Sequence, residues 1–127
     1  MREKLKAQIS QLEKATARLA ETLALKPTQV NKDATIQRFE FTFELAWKAI
    51  QSVAYEQGIE VVSPRDSLRT AAQLGLIEEV EMWFDFLDAR NRSSHIYDEK
   101  MANEVYEQIK KFFPEVKKLI EKIKESL

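Results

Sequence analysis

The residue types best suited to chemistry lie together in one short stretch, called here the Arg90–Tyr97 segment: Arg90-Asn91-Arg92-Ser93-Ser94-His95-Ile96-Tyr97. His95 is the one histidine in the chain, and histidine exchanges protons readily near neutral pH. Arginine holds the oxygens of a phosphate through paired hydrogen bonds. A histidine beside arginines therefore suits work on a phosphodiester, in which protons move and a crowded anion is stabilised.

One histidine cannot easily fill both proton roles of RNA cleavage, which needs a base for the 2′-hydroxyl and an acid for the leaving oxygen. A two-fold dimer that joins two copies of the Arg90–Tyr97 segment would supply two histidines and a cluster of arginines. We therefore expect a composite site in a homodimer. Arg90 and His95 point in different directions on a helix, so they converge only if the helix ends between them.

A purely structural interpretation stays open for the same residues. Arg90 would pair with a nearby acid such as Asp88 or Asp98, and His95 would cap a helix or fill a polar gap. Residue types alone favour this interpretation, because arginine and histidine five apart occur by chance in many proteins. Tyr97 would then be an interfacial aromatic whose hydroxyl finds a hydrogen bond.

The composition limits the other functions of the chain. Its 127 residues fit one compact domain over 1–127. The absence of cysteine agrees with a reducing compartment and removes structural zinc sites and thiol nucleophiles, and we expect neither a metal nor a cofactor. A net charge of −1 argues against a broad basic surface for nucleic acid. Without a membrane-length apolar run or a secretory signal, we expect a cytoplasmic protein with no membrane contact.

Helices must position the Arg90–Tyr97 segment, because two glycines and three prolines are too few for the turns of an all-β protein. Apolar residues spaced three, four and seven apart predict five helices: Glu3 to about Leu23, Asn31 or Asp33 to about Gln57, Pro64 to Gln73, about Ile77 to Ala89, and a last helix capped by Asp98 with a kink at Pro114. An extended connector is expected at 58–62, and Ser63 is expected to cap the third helix. On the fourth helix the residues expected to face inward are Val80, Trp83, Phe84 and Leu87, and the apolar stripe of the last helix is expected to extend to Leu127. The predicted fold is an all-α, single-domain, up-and-down helical bundle.

The predicted second helix is apolar on two sides. Its main apolar face carries Ile36, Phe39, Phe43, Ala46, Trp47, Ile50 and Ala54. Its second face carries Phe41 and Leu45 beside Arg38 and Lys48. A helix of this kind needs two partners. Either the chain itself covers the helix all round, or the second face meets another protomer, and both interpretations remain open.

Two motifs resemble those of a known family. The pattern Arg90-Asn91-x-x-x-His95 is similar to the signature of HEPN domains, helical dimers that include metal-independent ribonucleases. Tyr97 extends the match to the HepT-type toxins. The stretch 36–48, IQRFEFTFELAWK, and the stretch 94–99, SHIYDE, resemble the nucleotidyltransferase substrate-binding proteins. The resemblance extends over nearly the whole chain, and it too implies a dimeric HEPN-like helical bundle.

The resemblance also implies a role for each residue. Arg90 and His95 become the catalytic or phosphate-contacting pair, and Asn91 supports them. Arg92 matches no family role, but its charge makes it a supporting or phosphate-binding candidate. Arg38 and Glu44, in the stretch 36–48, are polar candidates near the site. Tyr97 becomes the acceptor of AMP from a minimal nucleotidyltransferase, which silences the ribonuclease. An AMP group on Tyr97 would set a bulky anion two residues from His95 and repel a phosphate substrate.

Three functions follow as hypotheses. The first is a HepT-like HEPN ribonuclease toxin of a toxin–antitoxin pair, which cleaves RNA without metal at a composite dimer site. The second is a non-catalytic subunit that binds a nucleotide or another substrate for a separate nucleotidyltransferase. The third is a plain helical interaction module. The expected partners are a second copy of the chain, which could assemble further, the minimal nucleotidyltransferase, and RNA or a nucleotide.

Overall fold

Five helices follow one another in the computed structural model, which describes residues 2–127. Their bounds are α1 Arg2–Leu23, α2 Gln29–Glu56, α3 Pro64–Gln73, α4 Val80–Ser93 and α5 Glu99–Glu125. No strand occurs in the part of the chain described, and 59–62 is an irregular connector between α2 and α3. The all-α prediction with five helices is confirmed.

Helix α2 is the centre of the bundle, because it contacts each of the other four helices. Its main apolar face forms an aromatic cluster with α4 and α5, in which ring centroids lie 5.0 to 6.5 Å apart. The rings belong to Phe39, Phe43, Trp83, Phe86 and Phe112. Edge-to-face contacts of this kind add to the stabilisation that burial provides. The cluster anchors α4 firmly and so fixes where its last turn lies.

The predicted apolar faces are partly corrected by the structure. On α4, Phe86 is fully buried although the spacing did not single it out, whereas Val80 and Phe84 are only half-buried at the edge of the core. On α2, Trp47 is also half-buried. On α5, the apolar stripe ends before Leu127, which is exposed. Apolar spacing therefore predicts which residues share a face of a helix, but not how fully the neighbouring helices cover each of them.

The start of α2 lies earlier than the sequence predicts. We expected Asn31 or Asp33 as the cap, but the helix begins at Gln29 and Thr28 is the cap. The Thr28 hydroxyl accepts a hydrogen bond from the Asn31 amide at 3.2 Å. The Asn31 side chain instead donates to the Lys26 carbonyl at 2.8 Å. Pro27 precedes this cap and keeps the connection from α1 short and non-helical.

Two other helix starts agree with the sequence. Ser63 caps α3 by accepting the Asp66 amide at 3.2 Å, and Pro64 occupies the first turn. Asp98 caps α5 by accepting the Met101 amide at 2.8 Å. Because a cap satisfies amide groups that have no partner inside the helix, these boundaries follow from local chemistry. Helix α5 continues through proline 114 as one element, and the kink expected there stays a prediction.

Helix α4 is displaced along the chain relative to its prediction. It begins at Val80, not Ile77, and ends at Ser93, not Ala89. Ile77 is buried although it precedes the helix, so its apolar character reflects core packing and not helical periodicity. No glycine or proline follows Ala89 to stop the helix, so it continues for one more turn. The end still falls between Arg90 and His95, as the chemistry of the Arg90–Tyr97 segment requires.

The second face of α2 is only partly covered by the chain itself. Phe41 is 62% exposed, and Leu45 is half-buried. A second protomer at this face therefore remains a prediction.

None of the helices in residues 2–127 is long and apolar enough to cross a membrane.

Candidate functional site

The Arg90–Tyr97 segment spans the last turn of α4 and the loop that leads to α5. Arg90, Asn91 and Arg92 are helical, whereas His95 and Tyr97 follow the helix end. The turn at this end is closed by a hydrogen bond from the His95 amide to the Arg92 carbonyl, 2.9 Å long. The five candidate residues therefore share one end of one helix, on the surface of the bundle.

Arg90 pairs with an acid of α2 and not with the acids near it in sequence. Its Nη2 lies 3.6 Å from Glu44 Oε2, and the Arg90 side chain remains 37% exposed. The structural interpretation had named Asp88 or Asp98 as partner of Arg90, and the structure corrects this to Glu44. Glu44 had been a polar candidate near the site, and it does lie beside Arg90.

The carboxylate of Glu44 meets two further donors. Trp47 Nε1 donates a hydrogen bond of 3.0 Å to Oε2, the oxygen that also faces Arg90. Lys48 Nζ lies 3.5 Å from the other oxygen, Oε1. Both oxygens are thus engaged, and the acid has one defined orientation between α2 and α4.

A second acid of α2 contacts the end of α4. The Ser93 hydroxyl lies 2.7 Å from Glu40 Oε2 and 2.6 Å from the Arg90 carbonyl oxygen, so one proton serves two acceptors. Sequence reasoning missed Glu40 and Ser93. The available signal was the spacing of Glu40 and Glu44, which puts two carboxylates on one face of a helix four residues apart.

Arg92 faces the opposite side of α4 and contacts acids other than Glu44. Its Nε lies 3.2 Å from Asp88 Oδ2, an ion pair without hydrogen-bond geometry, and its Nη1 lies 3.5 Å from Glu104 Oε2 on α5. Residues two apart on a helix project in nearly opposite directions. The charge of Arg92 is therefore balanced by two carboxylates, and Asp88 is the partner of Arg92 and not of Arg90.

His95 and Tyr97 form the second pair of the site. His95 Nδ1 lies 3.3 Å from the Tyr97 hydroxyl, and the ring centroids are 6.4 Å apart. Which atom donates depends on the histidine tautomer. Tyr97 is 81% exposed, and His95 is exposed as well. Both side chains are open to a second molecule.

The structure gives Arg90 and His95 different partners. Within residues 2–127 no hydrogen bond or ion pair joins them, since Arg90 faces Glu44 and His95 faces Tyr97. Asn91 is exposed, and its carbonyl accepts a hydrogen bond from the Ser94 hydroxyl at 3.2 Å.

No group of three or more histidine, aspartate or glutamate side chains that could hold a metal ion occurs among residues 2–127. The remaining polar candidate, Arg38, lies away from the site.

Arg38 instead connects α2 to α1. Its Nη1 donates to the Arg18 carbonyl oxygen at 2.6 Å and lies 3.4 Å from Glu21 Oε1. Arg38 is on the second face of α2, whereas Glu40 and Glu44 face α4. Of the two further polar candidates, only Glu44 belongs to the site.

Comparison with known proteins identifies the family. A family model described as nucleotidyltransferase substrate binding protein like matches residues 5–125. The chain belongs to this family. The resemblance read from the two sequence motifs is therefore confirmed, because it named the nucleotidyltransferase substrate-binding proteins and the HepT group. The match includes α1 from residue 5 onward, all of α2 to α5, and the entire Arg90–Tyr97 segment.

Comparisons with individual proteins support the same family assignment. The chain is 35% identical over 95 residues to the probable ribonuclease HepT of Haemophilus influenzae, an alignment that covers 71% of this chain and 65% of that protein. A Thermus thermophilus protein of known crystal structure superposes with a TM-score of 0.83 at 33% identity, over 88% of this chain and 98% of that one.

A second solved structure comes from Haemophilus influenzae and is described as the fold of a substrate binding domain of a nucleotidyltransferase. It superposes with a TM-score of 0.68 at 30% identity, over 96% of this chain and 98% of that one. The family relatives thus carry two descriptions, ribonuclease and substrate-binding domain.

Proposed function

We propose that this protein is a HepT-like ribonuclease that cleaves RNA without a metal ion, at a composite site made by two copies of the Arg90–Tyr97 segment. One observation carries the proposal. Helix α4 ends between Arg90 and His95, and leaves both side chains accessible at the same end of the helix. The similarity to a probable ribonuclease HepT supports it.

The proposed reaction uses one histidine from each protomer. One His95 takes the proton of the 2′-hydroxyl, and the 2′-oxygen attacks the adjacent phosphorus. The His95 of the partner subunit donates a proton to the 5′-oxygen, which leaves as a hydroxyl. The products carry a 2′,3′-cyclic phosphate and a 5′-hydroxyl. Arg90 stabilises the charge that builds up on the phosphorane oxygens.

Tyr97 is the proposed point of control. A partner minimal nucleotidyltransferase would transfer AMP from ATP to the Tyr97 hydroxyl, with release of pyrophosphate. The hydroxyl lies 3.3 Å from His95 Nδ1, and Tyr97 is 81% exposed. AMP at this oxygen would add negative charge directly beside His95 and exclude the RNA phosphate. The two proteins would then form a toxin–antitoxin pair.

The deciding experiment compares the parent with His95→Ala. Each protein is incubated with RNA and a metal chelator, and the fragment ends are analysed. Because His95 is exposed and outside the core, the variant should remain folded, which circular dichroism checks. We expect cyclic phosphate ends from the parent only. Equal cleavage by His95→Ala would refute this mechanism.

A second function is supported by the family description and by the solved relative described as a substrate binding domain. In it the protein binds a nucleotide near Arg90 for a separate nucleotidyltransferase and has no chemistry of its own. The net charge of −1 suits a small ligand better than a long RNA. Intact RNA with folded parent protein, together with nucleotide binding that Arg90→Ala abolishes, would establish this function.

A further inference from the structure

The contacts of Glu44 are unusual for a surface acid, because three donors from two helices converge on one carboxylate. Arg90 Nη2 is 3.6 Å away, Trp47 Nε1 donates at 3.0 Å, and Lys48 Nζ is 3.5 Å away. The donor from Trp47 is neutral and held by a half-buried ring. It fixes the carboxylate in place independently of either cation.

The guanidinium group of Arg90 is engaged on one side only. Nη2 faces Glu44, while 37% of the side chain remains exposed. A guanidinium is planar and carries five N–H donors, so a carboxylate on one side leaves the others free for a phosphate oxygen. Free arginine side chains have many rotamers, and fixing them in advance removes an entropy cost from substrate binding or from the transition state.

Glu40 limits how far the two helices can shift at this point. It lies one turn before Glu44, and it accepts from Ser93, which lies nearly one turn after Arg90. Two successive turns of α2 therefore hold the final turn of α4 at two points. The spacing between the Glu44 carboxylate and the Arg90 backbone is set by both contacts.

We infer that Glu44 is a positioning residue for Arg90: it orients the guanidinium group toward the phosphate that is cleaved, without contacting RNA itself. This inference rests on the proposed ribonuclease function and deepens it. It does not follow from the sequence motif of the Arg90–Tyr97 segment, because Glu44 lies on another helix. A carboxylate close to a bound phosphate opposes RNA binding by charge, so its benefit must lie in the orientation of Arg90.

The test is Glu44→Gln, which keeps the size of the side chain and an oxygen that accepts from Trp47 but loses the charge that faces Arg90. Under single-turnover conditions we expect the cleavage rate to fall about 10- to 100-fold. Affinity for a 2′-O-methyl RNA oligonucleotide, which cannot be cleaved, should stay equal or rise, since a negative charge has been removed. A variant whose fold is damaged would instead show both a lower cleavage rate and a lower affinity for this RNA.

The matched control is Glu21→Gln. Glu21 also pairs with an arginine between two helices, with Oε1 3.4 Å from Arg38 Nη1, but at the contact of α1 with α2. Its cleavage rate should equal that of the parent. In an Arg90→Gln background, adding Glu44→Gln should cause no further loss. A further tenfold loss in that background, or parent-like cleavage by Glu44→Gln alone, would overturn the inference.

A parent protein that cleaves no RNA would refute the proposed function. The inference about Glu44 is then tested by the mobility of the Arg90 side chain, which can be measured without cleavage. Heteronuclear 15N relaxation reports on the Nε–H group of each arginine. The Arg90 signal should be rigid in the parent and mobile in Glu44→Gln, whereas in Glu21→Gln the Arg90 signal should stay rigid. An Arg90 side chain that is equally mobile in the parent and in Glu44→Gln would overturn the inference.

Discussion

Arg90 and Arg92 differ in the charges that surround their guanidinium groups. Arg90 shares Glu44 with a lysine and a tryptophan, whereas Arg92 lies between Asp88 and Glu104. Two carboxylates against one guanidinium leave a local excess of negative charge, which disfavours an incoming phosphate. Arg90 is therefore the better phosphate ligand of the two, and Arg92 contributes mainly to the contact between α4 and α5.

Tyr97 can be tested as the acceptor of AMP separately from the nuclease activity. Tyr97→Phe removes the hydroxyl oxygen and keeps the ring, so the partner nucleotidyltransferase should transfer no label from ATP labelled in its α-phosphate. The matched control is Tyr55→Phe, because Tyr55 is also exposed, at 64%, but lies on α2. The control should be labelled like the parent. Labelling of Tyr97→Phe at the parent level would show that AMP is attached elsewhere.

At the scale of elements, apolar spacing predicts that each helix exists, and the caps decide where it begins. The caps Ser63 and Asp98 were predictable because each comes just before a stretch whose apolar residues have helical spacing. Thr28 was not, because Asn31 and Asp33 offer equally good cap chemistry nearby, and only the observed backbone selects among them. The extra turn of α4 was missed because no residue after Ala89 forces a helix to end.

The cap of α2 gives a stability prediction. Thr28→Ala removes the oxygen that accepts the Asn31 amide, and should lower the free energy of unfolding by about 1 kcal/mol. Asp33→Ala should cost less, because that exposed side chain has only a surface contact with Gln29 at 3.1 Å. Urea denaturation followed by circular dichroism measures both. A larger loss for Asp33→Ala would return the cap to the position first expected from the sequence.

At the scale of the whole molecule, the sequence brought the candidate residues together because they are neighbours in the chain. It did not reveal that Glu40 and Glu44 meet the end of α4, about fifty residues away along the chain. Polar spacing on a helix shows which residues share a face, but not which other helix covers that face. The contact depends on the packing of the aromatic cluster, which sets α4 against α2.

The composite site makes a prediction that concerns two molecules at once. If each site needs His95 from both protomers, a dimer with one His95→Ala subunit is inactive. When parent and His95→Ala subunits are unfolded together in equal amounts and refolded, only about one quarter of the dimers contain two parent chains. Cleavage per parent chain should therefore fall to about half of its value in the unmixed parent. The measurement is the rate at which a fixed amount of RNA substrate is cleaved, divided by the amount of parent chain.

The control mixes the parent with subunits that carry Glu21→Gln, a change outside the site. Because these subunits should be fully active, cleavage per total chain should equal that of the unmixed parent. Full activity per parent chain in the His95→Ala mixture would mean that one protomer suffices, and that a single histidine performs both proton transfers or shares them with water.

The exposed Phe41 on the second face of α2 offers a means to separate assembly from chemistry. If that face joins the protomers, Phe41→Asp should yield a monomer that is folded and yet inactive, because burying a charge there without a partner disfavours association.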